Sequence, residues 1–315
     1  MKTKSIWMTL VAVLLASLLA SCAGGQEALR KRAAVLCNYI PDHGLPEGAE
    51  QQMTADFYAA LDTMFNHLPE FEAMDHEWLY YFVTGNGGTM ADCTVKEVQR
   101  TDRTHAVATI EVRQKWEDGS FDETSDVEEH TLSMEKVDGT WLMSDFDGHK
   151  ADCLRHIAIS RREQAVRDAI SDYLVHEIAP GYLQGELCIP MLLITAAEED
   201  SEDKGRVWGD FWVFWYNIVG DTLTTMSGGS HPGCMTLEQK DGALAVTAFE
   251  QTTDGAGFAE SAQRIFGKHY DVFESMHAND GVREAVRREQ LREYVRRHNL
   301  AVHYCQDYGW PAVEL

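Results

Sequence analysis

The chain has 315 residues, with 27 Lys and Arg against 51 Asp and Glu, a formal charge of −24 at neutral pH. So acidic a balance argues against nucleic acid as a partner, because phosphate backbones are bound by clustered Lys and Arg that release counterions. With 44% hydrophobic and 25% charged residues, this is a folding chain long enough for one large domain or two ordinary ones, and disorder is excluded.

Lys2 and Lys4 precede a fifteen-residue apolar stretch from Ile6 to Ala20, interrupted by Thr9 and Ser17. That is shorter than the roughly 20 residues needed to cross a bilayer core of about 30 Å, and it suits a secretory signal. The stretch runs into Leu19-Ala20-Ser21-Cys22, which resembles the lipobox of bacterial lipoproteins. The resemblance implies removal of residues 1–21 and a mature N-terminus at Cys22, whose thiol carries diacylglycerol; two or three acyl chains, palmitate among them, anchor stably where one does not. An ordinary signal cut nearby leaves Cys22 a plain cysteine. Residues 22–44 read as a tether, starting with the flexible Ala23-Gly24-Gly25-Gln26. Its Arg30-Lys31-Arg32 cluster is either solvated or held near anionic headgroups, worth about 1 kcal/mol for each basic residue. Ala23 is not the Asp that retains such lipoproteins at the inner membrane. The expectation is an outer-membrane lipoprotein of the cell envelope, facing the periplasm.

The body reads as α+β, in two domains at 45–155 and 160–315. Phe57, Ala60, Leu61, Met64 and Phe65 recur at helical spacing between Met53 and His67, and Pro69 is placed to begin a second helix through Phe82. After Gly85-Asn86-Gly87-Gly88, strands are expected at Thr94–Gln99, His105–Gln114, Val127–Met134 and Trp141–Phe146. The last two are joined by Asp138-Gly139, a pair that accepts the positive φ angles of a tight hairpin. Helices followed by an antiparallel meander ending in a D-G-x-W hairpin resemble the NTF2-like cone over residues 45–150. That family implies helices packed on a curved antiparallel sheet, and it includes isomerases and dehydratases that use a pocket Asp or His as general base.

A second progression starts near Arg161, with Ala165, Ile170, Tyr173 and Leu174 on one helical face and Pro180-Gly181 as its stop. Strands are expected at Glu186–Ala196, Arg206–Val219, Gly233–Glu238 and Ala243–Glu250, with helices from Gly257 to His298. At an offset of 103, Met134, Asp138-Gly139, Trp141, Met143 and Phe146 meet Leu237, Asp241-Gly242, Leu244, Val246 and Phe249. This hints at an internal duplication, though Asp-Gly hairpins are common. The acidic run Glu198 to Asp203 lacks the alternating ligands and central Gly of a calcium loop and reads as a solvated hairpin tip.

Besides Cys22 there are Cys37, Cys93, Cys153, Cys188, Cys234 and Cys305. Six cysteines permit fifteen full pairings, and free buried thiols are equally open. No CxxC, HExxH or zinc-ligand spacing occurs, so no metal or cofactor is called for.

Trp208 to Tyr216 is the densest aromatic segment. As a strand it places Trp208, Trp212, Phe214 and Tyr216 on one face and Phe211, Val213 and Trp215 on the other, so it reads as central, buried in core or bordering a ligand. Ser227 to Cys234 reads as a glycine-rich loop in which Ser230 or Cys234 beside His231 could form an activated nucleophile, or as a turn with incidental polar residues. It lacks a GxSxG elbow. Trp310 and Tyr308 sit in a C-terminal run that reads as a binding site or as a docked tail. Arg283, Arg287, Arg288, Arg292, Arg296 and Arg297 form a basic helix, with Glu284–Arg288 and Glu293–Arg297 expected to pair at i,i+4.

The resulting expectation is a non-catalytic, lipid-anchored envelope protein that binds a small molecule, glycan, peptide or protein partner, with Trp208, Trp212, Ser230, His231 and Trp310 as ligand candidates. The alternative is an NTF2-like isomerase or dehydratase, or a hydrolase-type enzyme. That reading requires His76, Tyr80 and Asp145, or else Ser230, His231 and Asp307, to converge. An inert spacer or assembly subunit is the third possibility.

Overall fold

The computed structural model describes residues 25–41, 44–68, 88–116, 118–120, 127–201 and 204–315. The signal, Cys22 and the helix expected from Pro69 lie outside the described residues. The chain divides into two compact units, Met1–Arg161 and Arg162–Leu315.

In the first unit, helix α1 (25–36) occupies what the sequence suggested was a tether. Leu29, Ala33 and Leu36 fall on one helical face and are buried in the core. Two residues of the basic cluster read as either solvated or near lipid are turned to the protein instead. Arg30 donates to the Val95 carbonyl and Arg32 to the Trp141 carbonyl, both at 2.6 Å. Helix α2 (Ala55–Asn66) buries Phe57, Ala60, Leu61 and Met64. Both helices lie on one face of a four-stranded antiparallel sheet, β1 (Gly88–Arg100), β2 (His105–Trp116), β3 (Val127–Val137) and β4 (Thr140–Phe146), in sequential order. Along β2, Ala106, Ala108, Ile110 and Val112 are buried and the alternating residues are not, as a sheet covered on one face requires. A disulfide joins Cys37 to Cys93, tying the end of the N-terminal helical segment to β1.

Helix α3 (His149–Tyr173) continues through a π turn, Leu174–Ile178, and a 3₁₀ turn, Ala179–Gly181. The second sheet contains β5 (Leu187–Ser201), β6 (Lys204–Val219), β7 (Thr222–Lys240) and β8 (Ala243–Gln251). Its order is β10-β9-β7-β6-β5, with β8 also on β7; β9 is Tyr304–Gln306, parallel to β7, and β10 is Val313–Glu314. β6 is central, as its two apolar faces suggested. Val207 and Phe211 pack with Ala169, Ile170 and Leu174 on one face. On the other, Trp208 packs under α4 (Phe258–Phe266) and α5 (Tyr270–His277), while Trp212 and Tyr216 pack with Leu291 of α6 (Asp280–Arg297). The Gln290 side chain of α6 bonds both N–H (2.7 Å) and C=O (2.8 Å) of Leu192, satisfying backbone on the edge strand β5.

The two sheets share a pairing scheme. At an offset of 103, Met134↔Met143 becomes Leu237↔Val246, and the register shift at Ser133/Met134 becomes that at Thr236/Leu237. At an offset of 99, Val95↔Ile110 becomes Ile194↔Gly209, and the shift at Val95/Glu97 becomes that at Ile194/Ala196. Both hairpin turns have positive φ at Asp and Gly, Asp138-Gly139 and Asp241-Gly242. The sheets differ in their second face. In the first unit it carries exposed ion pairs, Lys96 with Glu111 at 3.0 Å and with Glu129 at 2.9 Å. In the second it is covered by α4 to α6.

Candidate functional site

Between the second sheet and α6 lies a cavity of about 530 Å³. The sheet contributes Trp212, Phe214 and Ser230; the helix contributes Arg283, Arg287 and Leu291, with Asp280, Glu284 and Arg288 beside them; Asp307 and Trp310 come from the C-terminal segment. The volume lies within the range of small-molecule sites, about 300–1,000 Å³.

Arg287 is held from several sides. Its guanidinium makes two 2.6 Å bonds to Asp307, donates to Tyr216 Oη at 3.1 Å and to Thr225 Oγ1 at 3.3 Å, and lies 4.8 Å over the Phe214 ring. Burial works against its charge, but Asp307 and Tyr216 outweigh this and hold the proton more firmly than usual. The Arg287 bonds in turn keep the Asp307 carboxyl below the ordinary range. The basic helix therefore does not present a simply solvated face. Glu293–Arg297 forms at 2.9 Å, but the expected Glu284–Arg288 pair does not, and Glu284 stands 3.9 Å from Arg287 instead.

Beside this pair is a buried acid that the sequence reading passed over. Asp210 is 0% exposed, accepts from Ser230 Oγ at 2.6 Å and from His277 Nδ1 at 3.0 Å, and has Arg283 Nη2 at 3.6 Å. Arg283 lies 5.7 Å over the Trp212 ring. Burial would push the Asp210 carboxyl up; the His277 and Ser230 hydrogen bonds and the adjacent indole outweigh it, and the group is held below the usual carboxylate range. The Trp212 Nε1–H favours that carboxylate yet has no acceptor in hydrogen-bond geometry. Serine, histidine and aspartate are thus gathered, but with the acid in the middle. In a nucleophilic triad the imidazole stands between the other two and takes the hydroxyl proton. Here the Ser230 proton points at a carboxylate whose basicity is reduced.

Of the candidates from sequence, Trp212, Ser230 and Trp310 line the cavity and Trp208 and His231 do not. Trp208 is core, 5% exposed, its indole donating to the Ile265 carbonyl at 2.9 Å. The segment Ser227 to Cys234 is not a loop but the middle of β7, so adjacent residues face opposite ways. Ser230 turns to Asp210, while His231 turns to Tyr182, whose Oη lies 2.9 Å from its Nε2. Burial lowers the His231 pKa. The glycines serve strand packing: a Cβ on Gly228 would strike the Val213 carbonyl, and one on Gly229 the Tyr182 hydroxyl. Burial pushes the Cys234 thiol up to about 11, which disfavours its thiolate. Ser230, His231 and Asp307 do not converge. Asp145 accepts from the Phe146 and Lys150 backbone N–H groups, and His76 and Tyr80 lie outside the described residues.

No family model matches the chain, and no curated protein matches it. Among solved structures, it is similar to an Ntf2-like protein involved in plasmid conjugation, at 10% identity and a TM-score of 0.18, covering 66% of this chain and 100% of that one. The mixed α+β class rests on the elements themselves, two antiparallel sheets with helices packed on them. Among the described residues, no three His, Cys, Asp or Glu side chains are gathered as a metal ion would need.

Proposed function

We propose that this is a lipid-anchored protein of the bacterial cell envelope, tethered at Cys22 to the outer membrane on its periplasmic side, which binds a ligand in the cavity of its second unit and does not transform it. The observation that carries the binding reading is the cavity itself. Aromatic and aliphatic walls from Trp212, Phe214 and Leu291 stand beside arginines whose positions are fixed by Asp210 and Asp307. Such rigid polar groups in an apolar concavity orient a ligand at low entropic cost. The Cys37–Cys93 disulfide supports an oxidising compartment. Shared register and shared bulges support two NTF2-like cones related by duplication, the second of which gained α4 to α6 and, with them, its cavity.

A hydrolase-type role gains no support from Ser230, His231 and Asp307, since each is engaged elsewhere; the isomerase or dehydratase alternative turns on His76 and Tyr80, which lie outside the described residues. The test is metabolic labelling with a fatty-acid probe, joined to native mass spectrometry of the full chain extracted from membranes. Label on Cys22 and a bound small species are expected. An unlabelled Cys22 overturns the anchor, and a chain that never carries or takes up a ligand overturns the binding role.

A further inference from the structure

We infer that the cavity of the second unit recognises a small zwitterion with an apolar side chain, an apolar α-amino acid or dipeptide; this rests on the binding reading above and names its ligand class. The cavity joins an apolar wall, Trp212, Phe214 and Leu291, to a run of charged side chains on α6.

The charges around the cavity sort themselves by what is already paired. Arg287 is closed on Asp307, and Arg283 faces Asp210. Arg288 lines the cavity and, among the described residues, has no carboxylate partner, which leaves it to receive a ligand carboxylate. Asp280 and Glu284 line it on the same helix, at four-residue spacings from Arg288, and Glu284 has no charge nearer than the 3.9 Å to Arg287. Residues i and i+4 are neighbours on a helix, so a row of two acids and one base runs along the opening. A plain carboxylate would meet both acids, and a plain amine would meet Arg288. A molecule bearing both charges meets each with its opposite, and its side chain is left for Trp212, Phe214 and Leu291.

The experiment is titration calorimetry of the full-length protein with L-phenylalanine, the dipeptide Leu-Phe, 3-phenylpropionate, which lacks the ammonium, and phenethylamine, which lacks the carboxylate. Phenylalanine or the dipeptide is expected to bind with a dissociation constant below about 1 mM and about tenfold or more tighter than either truncated compound. Arg288→Gln is expected to weaken the zwitterion about tenfold while leaving phenethylamine unchanged, and Glu284→Gln to erase its advantage over phenylpropionate. Retained far-UV circular dichroism shows that both variants fold. Equal binding of phenylpropionate and phenylalanine, or an Arg288→Gln protein that binds as well as the parent, overturns the inference. So does a saccharide or other uncharged species bound in native mass spectrometry with none of the four probes binding, an outcome that leaves the broader binding role standing.

Discussion

Asp210 stands in the second sheet where Glu111 stands in the first. Glu111 pairs with Thr94 of β1 and Glu129 of β3, and Asp210 with Leu193 of β5 and Pro232 of β7, the same positions at offsets of 99 and 103. The acid on the outer face of the first sheet is in water and bonded to Lys96. Its counterpart is roofed by α4 to α6, and the roof supplies its partners, His277 and Arg283.

The two acids are therefore expected to differ sharply on substitution. Glu111→Gln should change stability by less than about 0.5 kcal/mol, as at most surface positions. Asp210→Ala should cost about 1–3 kcal/mol, since it leaves Ser230 without its acceptor and takes the charge partner from Arg283, whose 30% exposure lets water reduce the loss. Urea unfolding of each variant measures the difference. Because the Asp210 carboxyl is held below its unfolded value of about 3.9, its contribution is complete above that pH and is lost as pH falls through the folded value. Asp210→Asn should flatten the acid limb of the stability curve.

Arg287 and Asp307 fasten the C-terminal segment, because β9 meets β7 over only three residue pairs. Removing one member of a buried pair costs about 3–5 kcal/mol, but Asp307 is 39% exposed, so water reduces the loss. Asp307→Asn is expected to destabilise by about 1–3 kcal/mol and to speed amide exchange at Tyr304 to Gln306 ahead of the rest of the sheet. The Asp307 carboxyl is also held low, so this fastening is present above about pH 4 and weakens as pH falls through its folded value. The protection factors of those three amides, exchange corrected for its intrinsic pH dependence, should fall in that acid range, and less elsewhere in the second unit.

The Cys37–Cys93 bond closes a 56-residue separation. On the chain-entropy account such a loop is worth about 4 kcal/mol. Cys37→Ser with Cys93→Ser, or reduction, is expected to lower protection from hydrogen exchange in residues 25–161 while leaving 162–315 unchanged. The other four described cysteines are free, and burial raises Cys153 to about 12 and Cys188, Cys234 and Cys305 to about 11. Alkylation of the native protein should accordingly be slow at all four.

Local signals carried the strands and turns. Asp138-Gly139 and Asp241-Gly242 announce hairpins because only a few residues accept positive φ, and the 103-residue offset between them is kept by the pairing register. Helix α1 was missed: Leu29, Ala33 and Leu36 recur at helical spacing, but the charged Arg30-Lys31-Arg32 and the glycines before it read as a tether. The site was not legible either. Asp210 meets His277 and Arg283 across 67 and 73 positions, and no periodicity reports a contact made by folding one layer over another. The one clue was its parity. Asp210 shares a strand face with Trp208 and Trp212, and a lone acid on a buried aromatic face must find partners. The glycine-rich stretch misled for the opposite reason, since glycines that clear a loop for a ligand and glycines that admit a neighbouring strand look alike in sequence.

Trp208 and Trp310 separate core from cavity by experiment. Trp208 is buried among Ala262, Ile265, Phe266 and Phe273, with its indole N–H bonded to Ile265. Truncating it removes a large apolar surface and leaves a void and an unpaired carbonyl, so Trp208→Ala is expected to cost about 3–5 kcal/mol in urea unfolding. Trp310 is 71% exposed and reaches the cavity from the turn between β9 and β10. Trp310→Ala is expected to shift stability by less than about 0.5 kcal/mol, and to weaken any ligand that shares the cavity through faster dissociation, because an aromatic lost from one wall leaves that side of the ligand in water. Equal destabilisation by the two substitutions would place Trp310 in the fold's core and remove it from the site.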